Sequence, residues 1–381
     1  MKILTNVDRL EPLGGVELST LQVSRALAGR GHELEVVFRE NGSLRAQFEQ
    51  FAADLVQIPG FAMRLQSPLG DAARLVPGVR AVQRSDADVV YCHRPEHMLW
   101  AVAGGKSSRR ARRPVVVHLR HHPSGRTFRA LARGVDTFIA VSHFIERQWV
   151  DAGVPADKVV VVHNGVDPAR YPAGGPDEQV LARTRLSLPP DVPVVLHYGR
   201  LVPEKGLGSL LRAWPHVRRQ VPEALLVCAG NASPDDASAV PRGWDRADGV
   251  VRLPAQDDVT DLLHASDLVV LPAQWQEPFG RVVIEALSSG RPVVASAVGG
   301  IPEILTGDLR RLLFPRGDEA ALAGKLVENL RWRSTDPGLG LAGRRHVVRH
   351  FSLDQTVAAV EAVLHDTVAG DARPVAASAT R

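Results

Sequence analysis

Short β-rich runs alternate with helix-length segments along the whole chain, and this alternation limits what the sequence can fold into. Strand candidates lie at Lys2–Val7, Glu33–Phe38, Asp54–Ile58, Asp88–His93, Val115–Leu119, Thr137–Val141 and Val159–His163. After a break they resume at Val192–Tyr198, Ala224–Ala229, Val250–Leu253, Leu268–Leu271, Arg291–Ala295 and Arg311–Phe314. Strands separated by helix-length segments imply βαβ units and a parallel sheet. Leu18–Ala28 reads as an amphipathic helix stopped by Gly29 and Gly31. The break, NGVDPARYPAGGPDEQ and then LSLPPD, is dense in Pro and Gly and reads as a linker. The expected fold class is α/β, with two doubly wound parallel-sheet domains at residues 1–170 and 191–352 joined by a linker at 171–190. A helix over 353–366 and a flexible tail over 367–381 complete the chain.

A chain of 381 residues with 45% hydrophobic and 23% charged residues can bury a sizeable core, which excludes a disordered chain, a collagen or a heptad rod. No apolar run approaches the ~18–20 residues of a membrane span. Asp8 and Arg9 stand where a signal peptide would need an apolar stretch, so a cytoplasmic protein is expected. Cys92 and Cys228 sit in apolar runs and read as buried reduced thiols. The net charge of +4 is small for this length, and only five of 46 basic residues are lysines. That bias points to coding composition rather than to nucleic acid as a partner. The cluster KSSRRARR, Lys106 to Arg113, could meet phosphates or an anionic membrane, which would place the protein peripherally at the inner face. A solvated loop is the plainer reading.

Ligands of doubly wound sheets bind outside the carboxyl ends of the strands, so the loops there should carry the chemistry. Gly14 and Gly15 follow the first strand and precede a helix, where backbone amides can approach a phosphate or sugar. In the second half, Arg200 and Lys205 flank a short turn after the strand VPVVLHYG, where two fixed cations would neutralise a diphosphate. Glu277 precedes a Pro-Phe-Gly turn, and a helix with Glu285 expected in its third turn follows. The free amides at that helix start suit a phosphate, and Glu285 suits a sugar hydroxyl. Gly299 and Gly300 form another glycine loop beyond the strand PVVAS.

GRLVPEKG, EPFGRVVIEALSSGRPVVAS and VGGIPEIL closely resemble the retaining glycosyltransferases of family 4, which have the GT-B fold. The likeness is strongest over roughly residues 190–315, with weaker echoes in LGGVE, RGHELEVV, FIAVSHF and HNGVD. The resemblance implies two Rossmann-like domains facing across a cleft, acceptor on the first and nucleotide sugar on the second, with closure about the linker. It implies sugar transfer with the anomeric configuration kept, and no metal cofactor. The family's E-x(7)-E motif falls on Glu277, which would hold the donor sugar, and Glu285, which would bind the ribose. Amides around Phe279, Gly280 and Arg281 would meet the sugar and diphosphate. Arg200 and Lys205 match the cationic pair on the diphosphate, and Gly14 and Gly15 the N-terminal glycine loop. The base would dock near Leu253 to Gln256, although RLPAQ lacks the glycine common there.

The family often carries a histidine at the end of the strand here reading PVVVHLRHH. The usual position falls near Arg120, with His118, His121 and His122 around it; His121 is taken as the catalytic candidate and His118 as the second. His93, Arg94 and His97 are expected on the acceptor side, with surface packing as the alternative. Asp86-Ala87-Asp88 spells the metal motif of a different transferase fold but merely leads into a strand, and the sequon Asn231-Ala232-Ser233 has no secretory context. The fourteen histidines include no HExxH and no Cys/His spacing suited to zinc. The donor is left among UDP-hexoses, UDP-N-acetylhexosamines and GDP-mannose, and the acceptor among glycans, lipid-linked glycans and small natural products; the oligomeric state is open. Two other classes stay in view, another GT-B enzyme such as an epimerase or phosphorylase, and a non-catalytic nucleotide-sugar-binding subunit.

Overall fold

A computed structural model describes residues 1–12, 14–61, 68–107, 112–124, 128–231 and 243–370. Leu13, residues 108–111 of KSSRRARR, the sequon's residues 232–233 and most of the tail, 371–381, lie outside the described residues. The chain forms two compact units. Unit 1 is Met1–Asn164 together with the segment from Leu353 onward, and unit 2 is Gly165–Ser352.

Unit 1 is built on a seven-stranded sheet of β1 (Lys2–Arg9), β2 (Glu33–Glu40), β3 (Asp54–Gln57), β4 (Val89–Cys92), β5 (Val115–Leu119), β6 (Thr137–Ala140) and β7 (Val159–Val161). The order is β3-β2-β1-β4-β5-β6-β7 and every pair is parallel. Unit 2 has a six-stranded sheet of β8 (Val194–Tyr198), β9 (Leu225–Ala229), β10 (Val250–Leu253), β11 (Leu268–Leu271), β12 (Val293–Ser296) and β13 (Leu313–Phe314). Its order is β10-β9-β8-β11-β12-β13, again all parallel. Strand order reverses at β1 and β4 in unit 1, and at β8 and β11 in unit 2. Both sheets are covered on two faces, which is why β5 (VVVHL) and β11 (LVVL) are buried throughout.

The Pro/Gly-rich stretch is not wholly irregular. It holds a helix, Pro176–Arg185, with Pro176 in its first turn, Asp177 and Glu178 beside it, and Arg183 and Arg185 in its last turn. The guanidinium of Arg183 is buried, donating to Ala265 O at 2.9 Å and to Asp267 Oδ2 at 2.8 Å. The helix is thereby fastened to the unit 2 sheet.

Two cations of KSSRRARR are structural. Arg113 is buried and donates to the carbonyls of Val82, Ser85 and Ala87, beyond the end of helix Pro68–Arg84. Lys106 pairs with Asp136 at 2.6 Å. Neither is displayed for a membrane surface, and no described helix is long and apolar enough to cross a membrane. Asp86 and Asp88 hold the start of β1 through the Lys2 ammonium and the Lys2 amide, each at 2.8 Å. Both cysteines are free and buried, and burial pushes the Cys92 thiol up to about 12.

The last described helix, Leu353–Ala369, runs beyond the expected end at 366 and belongs to unit 1. Its Val357, Val360, Val363 and Leu364 pack with Ile3, Val23, Leu27, Leu34 and Ile139. Leu364 is fully buried, so Leu364→Ala removes apolar contact and leaves a cavity, at a cost of about 2–5 kcal/mol. The urea midpoint of the unit 1 transition is expected to fall at an unchanged slope. A midpoint equal to wild type would show that this helix is not part of the unit 1 core.

Candidate functional site

Because β8 and β11 are neighbours, the loops leaving their carboxyl ends meet within unit 2. After β8 the chain turns through Gly199 and an exposed Arg200 into the short 3-10 turn Pro203–Lys205. A Cβ on Gly206 would stand 1.8 Å from the Pro272 carbonyl oxygen, and its φ of 80° is left-handed, so only glycine lets the two loops close. The Gln274 amide donates to Glu204 O at 2.8 Å across the same junction.

The consequence is a partly buried ion pair. Lys205 Nζ lies 2.8 Å from Glu277 Oε2, and Trp275 Nε1 donates to that oxygen, also at 2.8 Å. The Lys205 ammonium is 5.9 Å from the Trp275 ring centre. Glu277 is only 8% exposed, yet Oε1 receives no hydrogen bond among the described residues. The backbone of Glu277 is clamped by the second glycine loop. A Cβ on Gly299 would meet Glu277 O at 1.9 Å, and the Gly300 amide donates to that oxygen at 2.9 Å.

Glu285 lies in the second turn of helix Arg281–Ser288, one turn earlier than expected. Its surroundings differ from those of Glu277. Oε1 accepts Arg281 Nε at 3.1 Å and Nη2 at 2.8 Å, while Oε2 accepts the Tyr198 hydroxyl at 2.9 Å. A carboxylate offers about four acceptor positions, so this arrangement leaves room for about one further donor. Burial first and then the Glu285 charge push the Tyr198 phenol well above its ordinary value, and push Tyr171 up to about 12. Burial opposes the charge on Arg281, but Glu285 and Tyr171 outweigh it and hold the guanidinium above its usual value. Arg281 thus contributes its side chain as well as the expected backbone amide, and its i,i+4 spacing to Glu285 is the signal in the sequence for that pair. Phe279 is buried and packs near Phe351, and Gly280 caps the helix start. At the end of β10, Pro254 and Ala255 are exposed.

Unit 1 has its own switch point between β1 and β4. Gly14 caps helix Gly15–Gly29. The first amides of a helix have no intrahelical partner, and here they begin at the glycine loop. Glu17, in the first turn, is buried and accepts from Arg94, which follows β4. His93 and His97 are interior rather than surface residues. His97 bonds Asn6 at 2.7 Å and stacks on Phe61 at 4.4 Å, and burial takes its pKa down to about 3.

The three histidines after or on β5 separate clearly. His118 is enclosed, with its Nδ1 2.7 Å from the Tyr91 hydroxyl and 3.2 Å from Arg120 Nη2. His122 packs edge-on against Phe144. His121 does not end the strand as expected but lies two residues beyond β5, half-buried, its carbonyl accepting from Trp149 Nε1 at 2.7 Å. Burial lowers its pKa, against the opposing pull of Glu96.

Two family models match this chain, one described as Glycosyltransferase Family 4 over residues 13–170 and one as Glycosyl transferases group 1 over residues 192–331. A D-inositol 3-phosphate glycosyltransferase of Salinispora tropica is 30% identical over 90% of this chain and 79% of that protein. The namesake from Salinispora arenicola is 35% identical, but the alignment spans 56% of this chain and only 50% of that protein's length. An alpha-maltose-1-phosphate synthase of Mycolicibacterium smegmatis is 36% identical over 59% of this chain and 61% of that protein. Among solved structures, Anabaena Alr3699/HepE in complex with UDP and glucose shares the fold, with a TM-score of 0.83 at 23% identity, covering 96% of this chain and 100% of that one. With both halves matched and a relative aligned over most of its length, the chain belongs to glycosyltransferase family 4 and has the two-sheet architecture of the GT-B fold.

Proposed function

We propose that this glycosyltransferase moves a hexose or N-acetylhexosamine from a nucleotide-sugar donor to a hydroxyl acceptor, keeping the anomeric configuration and using no metal ion. In this reading unit 2 carries the donor groups, and unit 1 carries the acceptor groups together with the Gly14–Gly15 loop and His121. The observation that carries it is Glu277: a buried carboxylate with Oε2 tied by Lys205 and Trp275 while Oε1 remains available to accept a sugar hydroxyl. Lys205 and the exposed Arg200 lie on the loop beside it, and the start of helix Arg281–Ser288 adds its partial positive charge. Cations at this position stabilise a diphosphate most as it gains charge on leaving. Glu285, aimed by Arg281 and Tyr198, would accept from the ribose. Support for the donor class comes from the Anabaena structure, whose complex holds UDP and glucose. Two relatives are named for phosphorylated polyols or sugars, so inositol phosphates and hexose phosphates head the acceptor panel.

Incubation with UDP-, GDP- and ADP-linked sugars and that panel tests the reading, with the product's anomeric proton coupling read by NMR. An inverted product would refute retention, and hydrolysis or epimerisation without an acceptor product would refute transfer. Lys205→Ala is expected to lower turnover about a hundredfold, equivalent to about 3 kcal/mol of transition-state stabilisation. Near-normal turnover would remove Lys205 from the diphosphate. Glu277→Ala is expected to abolish transfer nearly completely while the circular dichroism spectrum is retained.

The donor base can be identified without turnover. At a hundredfold its Kd, the matching nucleotide adds about 2.7 kcal/mol of stability and raises the melting temperature. Glu285→Ala is expected to remove that shift; a full shift in the variant would overturn the ribose role.

A further inference from the structure

Unit 1 gathers three ligating side chains that play no part in the reading above. His32 is buried in the turn before β2. Glu361 and His365 are four residues apart on helix Leu353–Ala369 and so share a face. One donor atom from each of the three lies within 4.8 Å of the others. His32 Nε2 is already 2.6 Å from Glu361 Oε1, and the His32 and His365 ring centres are 5.7 Å apart.

We propose that His32, Glu361 and His365 form a binding site for a divalent transition-metal ion of the Zn²⁺ class, which clamps the last described helix to the turn before β2. Two imidazoles and one carboxylate are the donor set that such an ion favours over Mg²⁺ or Ca²⁺, which take oxygen ligands. Donors at about 2.0–2.1 Å from a tetrahedral ion stand roughly 3.3 Å apart, so the His32–Glu361 pair, now at 2.6 Å, must open slightly while the third donor, within 4.8 Å of both, closes in. His365 can close that gap, because it is exposed and can change rotamer at little cost. Two neighbours oppose the ion. The Met1 ammonium, 3.3 Å from His32 Nδ1, is a donor and does not take the Nδ1–H of a histidine that ligates through Nε2. Arg30 Nη1 lies 2.8 Å from Glu361 Oε2 and contacts Asp354 as well. A second cation near that carboxylate pays a Coulomb penalty, which favours micromolar over nanomolar affinity.

The clamp would act where the chain leaves unit 2 at Ser352 and enters unit 1 at Leu353. Binding to the folded state alone raises stability by mass action. The test is calorimetric titration of the metal-stripped full chain with ZnCl₂, followed by thermal unfolding with and without the ion. One equivalent is expected to bind in the micromolar range and to raise the unit 1 melting temperature by about 5 °C at a hundredfold excess over Kd. His365→Ala, an exposed substitution, is expected to weaken binding about tenfold or more and to remove the thermal shift. The pair His346→Ala and His350→Ala, an i,i+4 histidine pair on helix Leu339–His350 of unit 2, is expected to change neither. The proposal is overturned by an absence of Zn²⁺ binding to the wild type, by unaltered binding in His365→Ala, or by loss of binding in the unit 2 control.

Discussion

Parallel strand pairing is the constraint from which the rest of this molecule follows. It forces every connection to cross over a sheet face, so all strands of a sheet end at the same edge. At the two positions where strand order reverses, the loops diverge from adjacent strands and leave an opening between them. Each reversal is spanned by an ion pair. In unit 1 it is Glu17, in the first turn of the helix after β1, with Arg94, which follows β4. In unit 2 it is Lys205 with Glu277, from the loops after β8 and β11. Residues 72 positions apart thus become hydrogen-bonded neighbours because their strands are paired, Leu268 beside Val195.

Burying charge is costly without partners, and the chain meets this cost largely with arginine. The guanidinium offers five donors in a fixed plane, which suits clusters of carbonyl oxygens. Arg113 gathers three carbonyls in unit 1, and Arg291 bonds the carbonyls of Leu263, Gly174 and His264 in unit 2. Burial, and then the nearby Arg333 charge, pull the Arg291 pKa down to about 9 against the opposing pull of Asp267. Composition therefore understates what the arginines do here. An arginine count reads as coding bias, whereas the placement of Arg113, Arg183 and Arg291 makes them internal struts.

Much of the fold was legible in the sequence for a physical reason. Strands covered on both faces are apolar throughout, so central strands such as β5 (VVVHL), β8 (VVLHY), β11 (LVVL) and β12 (VVAS) stand out as short apolar runs. The helix Pro176–Arg185 was hidden because its Pro, Gly and Asp content signals a loop, even though those residues sit where helix starts favour them. The loops around Arg200, Lys205, Glu277 and Glu285 were visible as motifs, but their pairings were not. Lys205 against Glu277, and Tyr198 against Glu285, join segments 72 and 87 residues apart. His93 and His97 follow a strand as loop residues should, yet aromatic and amide partners draw them inside. The His32 cluster was invisible to spacing rules, since His32 and Glu361 are separated by 329 residues.

The two carboxylates of the E-x(7)-E pair are held differently. Glu285 is held at both oxygens by groups on its own helix and on β8, so its position is fixed before any ligand arrives. Glu277 is held at one oxygen only, and one of its two partners is a flexible ammonium. Lysine is a point charge on a four-carbon stem, so it can lean toward a second anion without losing its first. Under the proposed reading, an arriving diphosphate would compete for Lys205, while Trp275 keeps Glu277 Oε2 in place. Oε1 would then meet the sugar hydroxyl without the carboxylate having to move. Under that reading the neutral indole keeps the carboxylate in place whichever anion the ammonium leans toward, so the sugar-binding oxygen needs no reorganisation as the leaving group gains charge.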